Sequence, residues 1–219
     1  MTPILILAAG RSSRMRGRDK HLEEIDGVPL LRRLALAALE LGEPVFVALP
    51  ALPHPRAEAL AGLDVSLLAV PEAEEGMSGT LRGAVARLPK GAGFLLVLGD
   101  LAEIGAVEMR AVTAARADAP DKLIWRGATE TGEPGHPILF DASLIPRFAE
   151  LSGDGGGESL DGGGLGQAGH ALEQHVAVAE EADEEAVDQV LLTDDDAGDL
   201  LTESRHPGAG GVDGVGHGG

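Results

Sequence analysis

Three short, apolar runs constrain this chain most, Thr2 to Ala8, Pro44 to Leu49 and Gly93 to Leu98, and Val65 to Val70 adds a further strand. A run of that length without polar alternation reads as a strand buried on both faces. The stretches between them have helical spacing. Leu30 to Leu41 lines up Leu30, Leu31, Leu34, Leu36 and Leu39 on one face, behind Pro29 and ahead of Gly42, so a helix starts and stops there. Further helices are predicted over about 55–61, from a cap at Ser78 or Thr80 to Leu88, over 103–117, and from a cap at Ser143 to Leu151. Lys122 to Trp125 and His136 to Phe140 are two further strands. Strand alternating with helix predicts an α/β fold, a mostly parallel, doubly wound sheet with helices on both faces. Ligands on such sheets sit at the carboxyl ends of the strands.

Composition narrows the function. Aromatic residues are only 2% of the chain and tyrosine is absent, so the core must be built from Leu, Val, Ile and Ala. The absence of cysteine excludes disulfides, thiolate zinc sites and a cysteine nucleophile. The N-terminal apolar run is followed, not preceded, by charge, unlike a secretory signal. No stretch reaches the roughly 18 apolar residues of a membrane helix, so a cytoplasmic location is expected, with no membrane partner. The histidines show no metal-ligand spacing, and no Ser/His/Asp arrangement is suggested.

The net charge of −19 is unevenly spread. Residues 1–150 carry 16 Lys and Arg against 20 Asp and Glu, whereas residues 151–219 carry one basic residue, Arg205, against 16 acidic ones. Seventeen of the 32 glycines also fall in that last segment. Two compositions therefore meet near residues 151–161. The chain divides into a globular domain, residues 1–160, and an acidic, Gly-rich tail, 161–219, that cannot bury enough apolar surface to offset its ordering entropy. Nothing is basic enough for general nucleic-acid binding.

Leu7 to Lys20, LAAGRSSRMRGRDK, carries the chemistry. A buried strand runs into the small turn Leu7-Ala8-Ala9-Gly10, then two hydroxyls, Ser12 and Ser13, among Arg11, Arg14, Arg16, Arg18 and Lys20. Backbone N–H groups in such a turn form an anion-binding concavity, and the cations neutralise polyphosphate charge. It is neither a Walker A loop nor a GxGxxG fingerprint.

This stretch resembles the signature of the MobA-like nucleotidyltransferases, closest to the molybdenum-cofactor cytidylyltransferase branch. The resemblance implies a nucleotide-diphospho-sugar-transferase-like fold. It implies that Gly10 to Ser13 cradle a nucleotide triphosphate and that Arg14 and Lys20 bind its charge. Asp100 ends an apolar strand; from position alone it is either a helix cap or a ligand of Mg²⁺ bridging phosphates. The family's GDMP-like motif at this place implies the metal, although Leu101 and Ala102 replace its Met and Pro.

EGMSGTLRGA, Glu75 to Ala84, resembles a nucleotide-facing segment of the cytidylyltransferases and implies that Gly76, Met77, Ser78, Gly79 and Thr80 bind CTP. By their residue types alone, these positions equally suit a plain helix cap. GHPILF resembles the family's acceptor-side segment and implies that Gly135, His136 and Pro137 face a pterin phosphate; on the residues alone, a structural turn that presents His136 at its rim is the plainer reading. His21, where the family has an apolar residue, is read as a tolerated variant.

The resemblance thus implies Mg²⁺-dependent transfer of CMP from CTP to molybdopterin, with a molybdoenzyme or its maturation chaperone as a possible partner. GTP or another phosphate acceptor, or a non-catalytic delivery protein, are the alternatives. The recognisable motifs stop near Leu160. Either Leu191 to Asp196 is a degraded copy of the family's closing segment, with Asp195 a second metal ligand, or the reading frame shifts near Leu160.

Overall fold

The computed structural model describes residues 1–10, 19–128, 132 and 134–151, together with the backbone of 175–178. Ser12, Ser13, Arg14 and Asp195 lie outside the described residues, as does the tail apart from 175–178.

Among the described residues nine strands form: β1 (Ile4–Leu7), β2 (Glu24–Ile25), β3 (Val28–Pro29), β4 (Val45–Leu49), β5 (Ser66–Ala69), β6 (Phe94–Leu98), β7 (Ile124–Ala128), β8 (Pro134–Phe140) and β9 (His175–Val178). The helices are α1 (Leu30–Leu39), α2 (Pro55–Ala59), α3 (Met77–Val85), α4 (Ala106–Asp118) and α5 (Ile145–Phe148). Seven strands make one sheet in the order β5-β4-β1-β6-β8-β7-β9, while β2 and β3 form a small antiparallel hairpin. β1 lies at the centre, parallel to β4 and β6, and β4 is parallel to β5. β8 enters antiparallel to β6, and β7 is antiparallel to β8, so β7 again points along β1. The expected α/β architecture is present: a mostly parallel sheet covered by helices on both faces.

The unalternating apolar runs explain this. Every residue of β1 is buried. Ile4 and Ile6 face a core shared with α1 (Leu31, Leu34) and α4 (Met109, Val112), whereas Leu5 and Leu7 face a second core shared with α3 (Leu81, Val85) and Phe148 of α5. Period-two alternation thus feeds two cores instead of one core and solvent. In the second core Phe94, Phe140 and Phe148 pack as a trio with centroids 5.2 Å apart, placing most of the scarce aromatic surface where β6 meets β8.

Local chemistry moved several boundaries. Gly76, at φ +94°, precedes α3, which begins at Met77; neither Ser78 nor Thr80 caps it. Thr80 instead donates its hydroxyl back to the Gly76 carbonyl at 2.9 Å. The cap before α5 is Asp141, which accepts from the Ser143 amide at 3.0 Å and from its hydroxyl at 2.9 Å. α4 starts at Ala106, where Glu108 reaches back to the Gly105 amide at 2.8 Å. Within the segment read as tail, the β-prone HVAV of β9 pairs antiparallel with β7.

Candidate active site

The carboxyl ends of β1 and β6 stand side by side. The Gly99 amide donates to the Leu7 carbonyl at 2.8 Å, and the Ala8 amide to the Ala48 carbonyl at 2.9 Å, so the chain leaves β1 still tied to its neighbours. Ala8 and Ala9 are buried; Gly10 is exposed, and a Cβ there would meet nothing within 4 Å among the described residues. Crowding by the described residues therefore does not explain this glycine. Open space over the backbone at the mouth of a buried strand suits close approach of a ligand. Leu7, Ala8 and Ala9 are buried in the core.

The chain returns at Asp19, which caps the 3₁₀ turn Lys20–Leu22 by accepting from the His21 amide at 3.1 Å. The other Asp19 oxygen takes Nε of Arg56 at 2.7 Å. Arg56 comes from α2, is only 4% exposed, and also donates to the carbonyls of Ala8 and Gly10, the latter at 3.0 Å. One guanidinium thus joins the outgoing and returning ends of the loop. Burial works against charge on Asp19, but the hydrogen bond and charge of Arg56, with His21 beside them, hold its carboxyl below the usual range.

His21 is buried over Gly99, with Nδ1 3.1 Å from Asp19 Oδ1. Its pKa is lowered, first by burial and then by the Arg56 charge, against the pull of Asp100 and Asp19. His21 is therefore part of the site's scaffold and not an idle variant. Asp100 itself is exposed in the turn directly after β6, at the family motif's position.

The other two segments reach the same end of the sheet. Because β8 runs against β6, with Leu96 opposite Ile138, its first residues lie beside the end of β6. Gly135, His136 and Pro137 are brought there within strand β8, not as a turn at its rim. The start of α3 lies beyond β5. Here the small residues serve packing: Gly79 abuts the Glu72 carbonyl, and Gly83 lies against the side chains of Glu72 and Val70, so α3 nests on the 3₁₀ turn Pro71–Glu75. The close approach that Gly79 allows is to this turn, and the Thr80 hydroxyl is engaged within its own helix. Met77 and Ser78 are half-buried at the head of α3.

Sequence reasoning missed Arg56. It lies 37 residues from Asp19 in a short helix, and only the fold brings the two together. Among the described residues, no helix is long and apolar enough to cross a membrane.

Comparison with known proteins agrees with this fold. A search of curated proteins finds no match. Rv0371c from Mycobacterium tuberculosis H37Rv is 26% identical, with a TM-score of 0.56, covering 71% of this chain and 78% of its own. Its manganese complex superimposes with a TM-score of 0.57 at 25% identity, covering the same 71% and 78%. A nucleotidyl transferase from Methanothermobacter shares the fold at 22% identity and a TM-score of 0.57, covering 69% of this chain and 76% of that one. The model of the MobA-like NTP transferase domain matches residues 4–176. That match runs past Leu160. With Gly10, Lys20, Asp100 and the head of β8 at one end of the sheet, and with that match spanning most of its length, the chain belongs to the family of MobA-like NTP transferase domains.

Proposed function

We propose that this nucleotidyltransferase moves CMP from CTP to the terminal phosphate of a molybdopterin-type pterin. An acceptor phosphate oxygen attacks the α-phosphorus in line, the bond to the β-phosphate oxygen breaks, and pyrophosphate leaves with that electron pair. No covalent enzyme intermediate is needed, so the protein's work is positioning and charge neutralisation. The observation that carries this reading is the meeting, at one end of the sheet, of the open Gly10 backbone, Lys20, the exposed Asp100 and the β8 head.

Lys20, with Arg14, is assigned to the triphosphate, and the backbone from Gly10 to Ser13 to its oxygens. The head of α3 faces the base, and Gly135, His136 and Pro137 face the acceptor. Among the described residues, no group of three or more His, Asp or Glu could hold a metal ion. A lone exposed carboxylate fits Mg²⁺ nonetheless, because Mg²⁺ is commonly held by one or two carboxylates plus substrate phosphates. Asp100 would hold it, with Asp195 the second candidate, and when bound it would draw charge from the phosphates. The manganese complex of Rv0371c supports a divalent ion in this fold.

The test is pyrophosphate release from CTP, GTP and ATP, each with and without molybdopterin. Release from CTP above GTP, only with acceptor present, is expected. Preference for GTP would reassign the base, and binding without release would make the protein a carrier.

A further inference from the structure

We propose that Arg56 is a positioning residue for nucleotidyl transfer, holding the two ends of the loop after β1 so that Lys20 stands at a set distance from the Asp100 turn. The inference rests on the nucleotidyltransferase reading and adds to it a residue from a separate helix.

Arg56 is too buried to touch a ligand. Among the described residues, its acceptors include the Ala8 and Gly10 carbonyls on the outgoing side and the Asp19 carboxylate on the returning side. Asp19 in turn orients the turn that carries Lys20, through the His21 amide and ring. His21 rests on Gly99, the residue before Asp100. A continuous set of contacts therefore runs from α2 through both ends of the loop to the end of β6.

The mount is firm. His54 caps α2 by accepting from the Arg56 amide at 3.2 Å, and Arg32 of α1 donates to the carbonyls of Ala59 and Ala61 at 2.9 and 3.0 Å. Stability alone is a weak reason for a buried ion pair, since well-packed apolar residues commonly serve as well. Three acceptors on two separate chain segments call for a planar fork of donors, which Arg supplies and Lys does not.

The experiment compares wild type, Arg56→Lys, Asp19→Asn and the double variant. Turnover is read at saturating CTP, KM and Tm are measured, and amide exchange of His21 and Leu22 is followed without nucleotide, against Ala8 and Leu95. Each single variant is expected to lose about tenfold or more in turnover, equivalent to one decade of rate. Exchange at His21 and Leu22 should rise while Ala8 and Leu95 hold, and the double variant should be no worse than either single one, as for one coupled unit. A fall in Tm alone, a change in KM alone, or additive losses would overturn the proposal. Should Arg56→Lys fail to fold, Asp19→Asn carries the same readings. A wild type that neither binds nucleotide nor releases pyrophosphate would sink the enzymatic reading instead, and unchanged exchange in the variants would sink the clamp.

Discussion

The His21 ring lies over Gly99, its Cδ2 2.8 Å from where a Cβ on residue 99 would stand. That same Cβ would sit 2.7 Å from the Leu7 carbonyl oxygen and 3.1 Å from Ala8 Cβ. Backbone and a buried methyl cannot swing away, so glycine is required where β6 ends against β1. Gly99→Ala is expected to cost about 1–3 kcal/mol, as overpacked cores do. Thermal unfolding checks this, and an unchanged Tm would mean that the two strand ends separate easily.

Gly10 is the counterpart. Its φ is not positive and, among the described residues, no atom lies within 4 Å of its absent Cβ. Gly10→Ala should leave Tm level or raise it, by up to about 1 kcal/mol of stability, because alanine narrows the unfolded ensemble. Nucleotide binding should weaken, since the methyl would occupy ligand space. Calorimetric titration with CTP decides it, and unaltered affinity would move the triphosphate away from Gly10.

Lys20→Ala is expected to keep the fold and lose turnover. One charged phosphate contact is worth about 1.5–3 kcal/mol, which is roughly ten- to a hundredfold in rate. Circular dichroism and a pyrophosphate assay on the same preparation separate the two effects. Wild-type turnover would remove Lys20 from the site.

Asp100→Asn should abolish activity that depends on divalent metal with little effect on Tm, because the side chain is exposed in its turn. Metal titrations of both proteins read this. Retained activity with a Tm lower by many degrees would make Asp100 a helix cap.

Acid should destabilise the fold through His21 and His54. Both have pKa values lowered from 6.5, each by burial first and by Arg56 second. The unfolded chain then binds more protons than the native one as pH falls below about 6.5, so stability is full above that value and declines beneath it. The lowered carboxyl of Asp19 adds a loss in the same direction at more acidic pH, below about 3.8. Urea unfolding at a series of pH values from 8 to 5 is expected to show this decline, and His21→Gln should flatten it. A slope identical in His21→Gln would assign the effect elsewhere.

The sequence by itself determined the layered fold. Apolar runs without alternation, such as Ile4–Leu7, have no solvent face to offer, so covering both faces with helices follows from their pattern. It also put Gly10 and Asp100 directly after apolar strands, because strand and following residue are contiguous in the chain. What it did not carry were relations that close over long separations. That β8 would run antiparallel between β6 and β7, bringing His136 to the end of β6, depends on strand order, which no local pattern encodes. That Gly79 lies against the Glu72 carbonyl was also not legible, because this contact appears only once α3 packs on its neighbouring turn. Arg56 shows the reason most plainly. An arginine in a short polar helix reads as solvated surface, and only the tertiary fold buries it against three acceptors from two ends of one loop, where its charge has a partner in Asp19.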